Sequence, residues 1–439
     1  MNPIAHDLNQ IIKKGNPHLM EMLSDVGKHL FFPKGILSQS AEAKEKAHKL
    51  NATIGIATEK GETMHFPSVM DSICSIRPDA SLTYAPSFGI PTLRKAWQDA
   101  LFIKNPSLEG KYISLPVVTC GITHAINMFS DMWLDPDDVV ILPDMMWGNY
   151  NMIINVKKGA TISRYAFLAE HGGFNLKAFE EKVKTEAKDR DKLAVLLNFP
   201  NNPTGYSVTV EEGKHIVEIL AGVAELGTNV IAVTDDSYFG LFYEEQTLKE
   251  SLFADLSATH PRLLSIKLDG ATKENFVWGL RLGFITYGCV IEGDPVPVYD
   301  ALERKTAGSV RGSISNASHL GQTIVLKSMQ SKNYEKEKEE KFNILKNRAI
   351  RVKDVLSNPK YKDAWDVYPF NSGYFMCIRL KSVNSEKLRR HLLETYGVGL
   401  ISLGEKDLRI AFSCLEESDI PELFDIILQG VEDLNPDIS

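Results

Sequence analysis

The feature that most constrains this chain is an alternation of two periodicities through its middle. Short, nearly unbroken apolar runs stand at 138–142 (DVVIL), 193–197 (LAVLL), 230–234 (VIAVT), 263–268 (LLSIKL) and 283–287 (GFITY). Runs of that length without polar alternation suit strands buried on both faces. Helical patterns separate several of them, notably at 176–187 and 211–226. Strands alternating with helices build βαβ units, so the expected fold is α/β, a mostly parallel sheet between two helical layers. At 439 residues the chain exceeds what one core usually holds, and two domains are expected.

The C-terminal part changes character. From Lys332 a charge-rich segment carries Phe342, Leu345, Ala349, Val352 and Leu356 at three- and four-residue steps, the stripe of a long surface helix. Its run EKEKEEK reads as a solvated helix face. Beyond it, 373–378 and 408–412 read as strands of a smaller α+β unit, which the first sixty residues are expected to join. The resulting division is 1–64 with the small unit, 65–325 as the large unit, and 326–439 as the rest of the small one.

A net charge of −8 argues against a nucleic-acid surface. Five scattered cysteines without a CxxC pair suit reduced thiols, and no signal peptide or 18-residue apolar span is evident, so a soluble cytoplasmic protein is expected. The eleven histidines show no metal-binding spacing, and no metal site is expected.

Chemistry-bearing residues gather where the apolar runs end. NFPNNPTGY (198–206) follows LAVLL, with a rigid turn that projects a side-chain amide. VIAVT ends in Asp235-Asp236-Ser237-Tyr238, and LLSIKL leads to Lys273, with Arg281 eight residues on. In a parallel sheet the carboxyl ends of strands are where ligands bind. Upstream, Val117–Ala125 (VVTCGITHA) runs from an apolar segment into a helix whose N-terminus suits a phosphate. No GxGxxG or Walker pattern points to a nucleotide. Lys267 lies inside its apolar run, without an arginine at the same spacing, and is a poor nucleophile candidate. His124 reads as a helix-surface residue.

Together NFPNNPTGY, DDSY and K-x7-R-x-G resemble the pyridoxal-phosphate-dependent aminotransferases of fold type I, the class I branch around aspartate aminotransferase. The resemblance spans roughly residues 50 to 415. It implies a seven-stranded, mostly parallel sheet and a smaller α+β domain, pyridoxal 5'-phosphate as cofactor, and a homodimer with shared active sites. By the same resemblance Lys273 condenses with the cofactor aldehyde, Arg281 holds the phosphate and Asp235 pairs with the pyridine nitrogen. Asn202 and Tyr238 bond the 3′-oxygen, Gly121, Ile122 and Thr123 cradle the phosphate, and Trp147 stacks on the ring. Tyr84 reaches the neighbouring subunit's phosphate, Arg409 binds the substrate α-carboxylate and Gly55 lines the substrate pocket. Arg311 matches a segment whose arginine binds a distal carboxylate across the dimer; its other reading is a plain surface or interface arginine. Gly270 stands where the family usually has a phosphate-binding serine, a departure that Thr272 could offset.

The residue types match that chemistry. A lysine amine can condense with an aldehyde and, once displaced, act as a base, provided it is neutral near pH 7. A buried carboxylate stabilises a protonated ring nitrogen, and guanidinium forks grip carboxylates and phosphates through two oxygens. The implied reaction passes an amino group from an L-amino acid, aspartate, glutamate or aromatic, to a 2-oxo acid such as 2-oxoglutarate by a ping-pong route. A β-lyase, a decarboxylase or a binding protein on the same scaffold are the alternatives, since fold alone does not choose among them.

Overall fold

A computed structural model describes residues 1–31, 35–170 and 172–435. Seven strands form the large sheet: β1 Val117–Thr119, β2 Val139–Pro143, β3 Thr161–Tyr165, β4 Lys192–Asn198, β5 Asn229–Asp235, β6 Leu263–Asp269 and β7 Gly283–Cys289. Their spatial order is β1-β7-β6-β5-β4-β2-β3. Every observed pairing is parallel except those of β7, which runs antiparallel to both β1 and β6. The expected α/β sheet is therefore present, its one reversed strand being the run GFITY.

Side-chain alternation divides the burial between two faces. Val140, Leu142, Leu196 and Val233 pack with Ile122, Ile126 and Phe129 of helix Gly121–Trp133 on one side. Ile141, Val195, Leu197 and Ala232 pack on the other, with Phe179 and Val183 of helix Leu176–Ala187 and Ile216 and Leu220 of helix Val210–Glu225. Thr209 caps the latter helix through a capping box with Glu212.

The later strands form a separate antiparallel sheet: β8 Trp365–Val367, β9 Phe375–Leu380, β10 Ile401–Leu403 and β11 Asp407–Ala411, in the order β8-β9-β11-β10. Helices Tyr334–Leu356, Ser385–Tyr396 and Ile420–Leu434 bring Leu345, Val352, Leu388, Leu392 and Phe424 into its core. The early chain meets this unit directly: Leu50–Asn51 pairs in parallel with Val398–Gly399, and Glu42 pairs with Arg389 at 3.0 Å. Among the described residues no helix is long and apolar enough to cross a membrane.

The charge run differs from its expected solvated face. Glu337 and Lys341 are buried: Glu337 accepts from the Ser68 backbone N–H and hydroxyl, and Lys341 pairs with Glu59. Lys338 pairs with Glu274, the neighbour of Lys273, at 3.1 Å. Consecutive charges step around the helix, so the run covers every face, and Glu337 and Lys341, four residues apart on one face, meet the protein.

The turn after β4 ties the two sheets together. The backbone N–H groups of Asn371 and Ser372 donate to the Gly205 carbonyl at 3.1 and 2.9 Å. Gly205 sits at φ +74°, and a Cβ there would lie 1.9 Å from the Phe375 carbonyl oxygen. Both the left-handed backbone and the close approach require glycine. Gly205→Ala should lower stability by about 3 kcal/mol, read from the midpoint of urea denaturation at unchanged m-value.

Candidate active site

Strand register places the site. Asn198, the last residue of β4, lies opposite Asp235, the last of β5, and Asp235 lies opposite Leu268 on β6. Lys273 follows four residues after β6 ends, on the short helix Ala271–Glu274. These carboxyl ends open into a cavity of about 210 Å³ lined by Ile122, Thr123, Trp147, Asn202, Asp235, Tyr238, Lys273 and Arg281. Eight of the residues singled out in the sequence thus meet in one space.

Asp235 is the buried floor of that cavity. Tyr150 donates its hydroxyl to Oδ2 at 2.6 Å, and Ser237 donates its backbone N–H to Oδ1 at 3.1 Å, with its hydroxyl on the same oxygen. Burial nevertheless holds the Asp235 pKa above its ordinary value, against those hydrogen bonds and the charge of Lys273. A carboxylate so desolvated favours a cation beside it.

Lys273 is half-buried, with its Nζ 4.8 Å from the centre of the Tyr238 ring. Burial lowers its pKa to about 8; Asp235 pulls it up and Arg281 pushes it down. At neutral pH its neutral form is therefore roughly a few hundred times more abundant than that of an ordinary lysine. Tyr238 keeps its proton, since burial raises its pKa far above the usual value.

The turn 198–206 explains why Asn202 is presented. Asn198 bonds the Asp235 carbonyl through Nδ2 and accepts the Asn202 N–H, each at 2.9 Å. Asn201 accepts from both the backbone and the hydroxyl of Thr204. With its two neighbours holding the backbone, the Asn202 side chain reaches Arg409, whose Nη1 donates to Oδ1 at 3.2 Å.

Arg409, on β11, is a buried guanidinium in need of an anion. Its Nη2 donates to the Thr53 carbonyl at 2.8 Å, its Cζ lies 4.2 Å from the Phe375 ring centre, and its Nε has no hydrogen-bond partner. Among the described residues no carboxylate pairs with it, and burial lowers its pKa. Gly55 approaches the same place: a Cβ there would lie 3.0 Å from Phe375 and 3.6 Å from the Tyr238 hydroxyl.

At the other end, Gly121 opens helix Gly121–Trp133 at φ +73°, and a Cβ on it would lie 2.6 Å from Arg281 Nη2. The Arg281 guanidinium is thus stacked against the helix N-terminus, a pairing suited to phosphate. Gly270 has no room for a side chain, because a Cβ would lie 2.6 Å from the Leu282 carbonyl oxygen. The departure at that position is steric, and Thr272 lines the cavity beside it.

Of the expected residues, Gly55, Gly121 and Arg409 lie against lining residues without lining the cavity themselves, and two more are exposed. Tyr84 is 88% exposed, and Arg311 is exposed with Nη1 donating to Ser315 Oγ at 2.7 Å; neither lines the cavity of its own chain. Lys267 is fully buried and paired with Asp236 and Asp269, which excludes it from the cavity. No cluster of metal-ligating side chains occurs among the described residues. Tyr150, Ser237 and Asn198 were not singled out by sequence. Tyr150 lies three residues after Trp147, and helical spacing is the only signal that links them.

The architecture is shared with solved aminotransferases. An aminotransferase from Anaerococcus prevotii DSM 20548 superposes with a TM-score of 0.82 at 25% identity, over 93% of this chain and 98% of that one. Kynurenine aminotransferase of Pyrococcus horikoshii gives 0.75 at 17% identity over 95% of this chain and 98% of that one, a likeness of fold. The family model described as aminotransferase class I and II matches residues 48–427, and the chain belongs to that family. Relatives include an aspartate aminotransferase of Bacillus sp. (strain YM-2), 26% identical over 61% of this chain and 64% of that protein. A probable aspartate/prephenate aminotransferase of Aquifex aeolicus (strain VF5) is 25% identical over 88% of this chain and 93% of that one. The chain spans 64% and 60% of the length of the first two curated relatives it matches.

The opposing charges around Lys273 give a signed test. Titrating the Lys273 amine by NMR of isotope-labelled lysine in the protein alone should show a midpoint near pH 8. Asp235→Asn should move that midpoint down and Arg281→Gln should move it up; a midpoint above 10 in the wild type contradicts the assignment.

Proposed function

We propose that this protein is a pyridoxal-phosphate-dependent aminotransferase acting on an L-amino acid and a 2-oxo acid. The observation that carries the reading is one cavity holding Lys273 and the buried Asp235, with Arg409 reached through Asn202. The residues fit the cofactor on structural grounds. Asp235 is a desolvated carboxylate lacking a full counter-charge, Arg281 lies against a helix N-terminus, and Arg409 has an orphaned Nε. When bound, pyridoxal phosphate supplies an aldehyde that takes up the substrate amino group and a ring that withdraws electrons from Cα.

The chain's own groups would then divide the work. Asp235, fixed by Tyr150 and Ser237, holds a proton on the ring nitrogen. Thr123, the Gly121–Ile122 backbone, Thr272 and Arg281 bind phosphate oxygens. Asn202 and Tyr238 donate to the ring oxygen, and Trp147 packs against the ring. Arg409 binds the substrate α-carboxylate, which places Cα near Lys273, with Gly55 leaving room at the pocket wall. Lys273 Nζ, neutral in part at pH 7, takes the Cα proton and returns it.

Further parts of the reading extend beyond one chain. Residues 65–325 form the cofactor-bearing domain, with 1–64 and 326–439 forming a second. Exposed Tyr84 and Arg311 are read as contributions to the partner site of a homodimer in the cytoplasm. Relatives named aspartate aminotransferase favour aspartate as amino donor, and 2-oxoglutarate is read as the acceptor.

Purified protein mixed with pyridoxal phosphate should develop visible absorbance, lost in Lys273→Ala. Adding an amino donor should bleach it with one equivalent of 2-oxo acid released. Release of ammonia or carbon dioxide instead would show lyase or decarboxylase chemistry, and no absorbance in the wild type would sink the proposal. Arg311→Ala should cut kcat/KM for aspartate or glutamate by roughly 30-fold or more, as for losing one partner of a buried charge pair, while sparing alanine and phenylalanine. Equal loss across substrates would remove Arg311 from specificity.

A further inference from the structure

Cys120 precedes helix Gly121–Trp133 and makes no side-chain cap. Its backbone N–H points instead to Nδ1 of His124, one turn into the helix, at 3.1 Å. On its other side His124 Nε2 lies 2.9 Å from Ser313 Oγ, at the end of helix Val296–Ser313. Ser313 donates its own proton to the Val310 carbonyl at 3.1 Å, so its oxygen is left to accept. The network therefore assigns one form of the ring: Nδ1 accepts from Cys120, Nε2–H donates to Ser313. Burial lowers the ring's pKa, which favours that neutral form; Asp131 on the same helix opposes it, and the positive charge of Lys157 on Asn151–Lys157 acts with burial.

The turn so held matters because of what presses on it. Gly121 adopts φ +73° directly after Cys120, and Arg281 Nη2 would touch any side chain added there. Thr119 Oγ1 also bonds the Gly121 carbonyl, at 3.2 Å. A side chain reaching back to the backbone N–H of its own helix cap acts as the acidic member of a capping box does. Here an imidazole takes that place and adds a second contact, to a helix 189 residues away in sequence. His124 is half-exposed on its helix, as a helix-surface residue is, with both ring nitrogens engaged.

We infer that His124 is a positioning residue for the phosphate end of the site: through Cys120 and Ser313 it fixes the Cys120–Gly121 turn so that the helix N–H groups and Arg281 converge on one anion. The inference rests on the cofactor reading given above. It assigns His124 no contact with the reacting atoms. It predicts an effect confined to ligands that carry a phosphate, because Asp235, Trp147 and Lys273 reach the ring from other elements.

Titration of the cofactor-free protein with pyridoxal phosphate and, separately, with pyridoxal tests this through visible absorbance at the lysine. His124→Phe should weaken pyridoxal phosphate on the order of tenfold, the effect of one unmade hydrogen bond on a semi-buried N–H, and leave pyridoxal within about twofold. Ser313→Ala, which keeps the ring, should weaken pyridoxal phosphate less and in the same direction. Equal weakening of both ligands, or unchanged pyridoxal phosphate affinity in both variants, would overturn the role of His124 and leave the cofactor reading standing. A wild-type protein that develops no absorbance with either ligand would overturn both.

Discussion

The in-register ends of β4, β5 and β6 are the constraint on which the site depends. Parallel pairing sets Asn198 opposite Asp235 and Asp235 opposite Leu268, so the turn, the carboxylate and the lysine-bearing helix start from neighbouring points. A slip of one residue would reverse every side chain and bury Asp235 against the wrong face. Apolar residues on both faces of these strands oppose such a slip, because each face has its own helices to fill. The hydrophobic pattern and the chemistry are therefore specified by the same register.

Behind the cavity lies a second layer of charge. Asp236, Lys267 and Asp269 form a buried group, with Trp97 donating its indole N–H to Asp269 at 3.1 Å. Glu274 adds pairs to Lys104 at 2.6 Å and Lys338 at 3.1 Å, and those two lysines hold its pKa down near 2, against burial. Three carboxylates and three lysines stand there, so the layer is balanced in charge, as buried ions require. Two candidate residues have such a neighbour: Asp235 beside Asp236, and Lys273 beside Glu274. In each pair one side chain lines the cavity and the other joins the buried ion pairs.

Much of this was legible in sequence because it is local. The apolar runs, the turn 198–206 and the spacing of Lys273 from Arg281 are contiguous signals, and each lies where the pattern put it. What was not legible depends on distant contacts. Tyr150 reaches Asp235 across 85 positions, and His124 reaches Ser313 across 189; neither has a periodicity that announces its partner. The charge run 335–341 reads as solvated because composition carries no record of what packs above a helix. Lys267 shows the converse: its placement within an apolar run was enough to set it aside, and the fold supplies the carboxylates that explain it.

The crowding at Gly270 has a consequence for the routes by which such a site can change. Gly283 is equally tight: a Cβ there would lie 2.6 Å from the Gly121 carbonyl carbon. Gly121, Gly270 and Gly283 therefore form one packed contact among the phosphate turn, the lysine-bearing loop and the reversed strand β7. A serine at 270 can enter only after the Leu282–Gly283 backbone has moved, and that movement disturbs Gly121 in turn. A serine placed at 270 by itself therefore meets backbone on β7's approach and requires a shift there. Under the proposed function, phosphate binding is left to Thr123, Thr272 and Arg281, which line the cavity beside this contact.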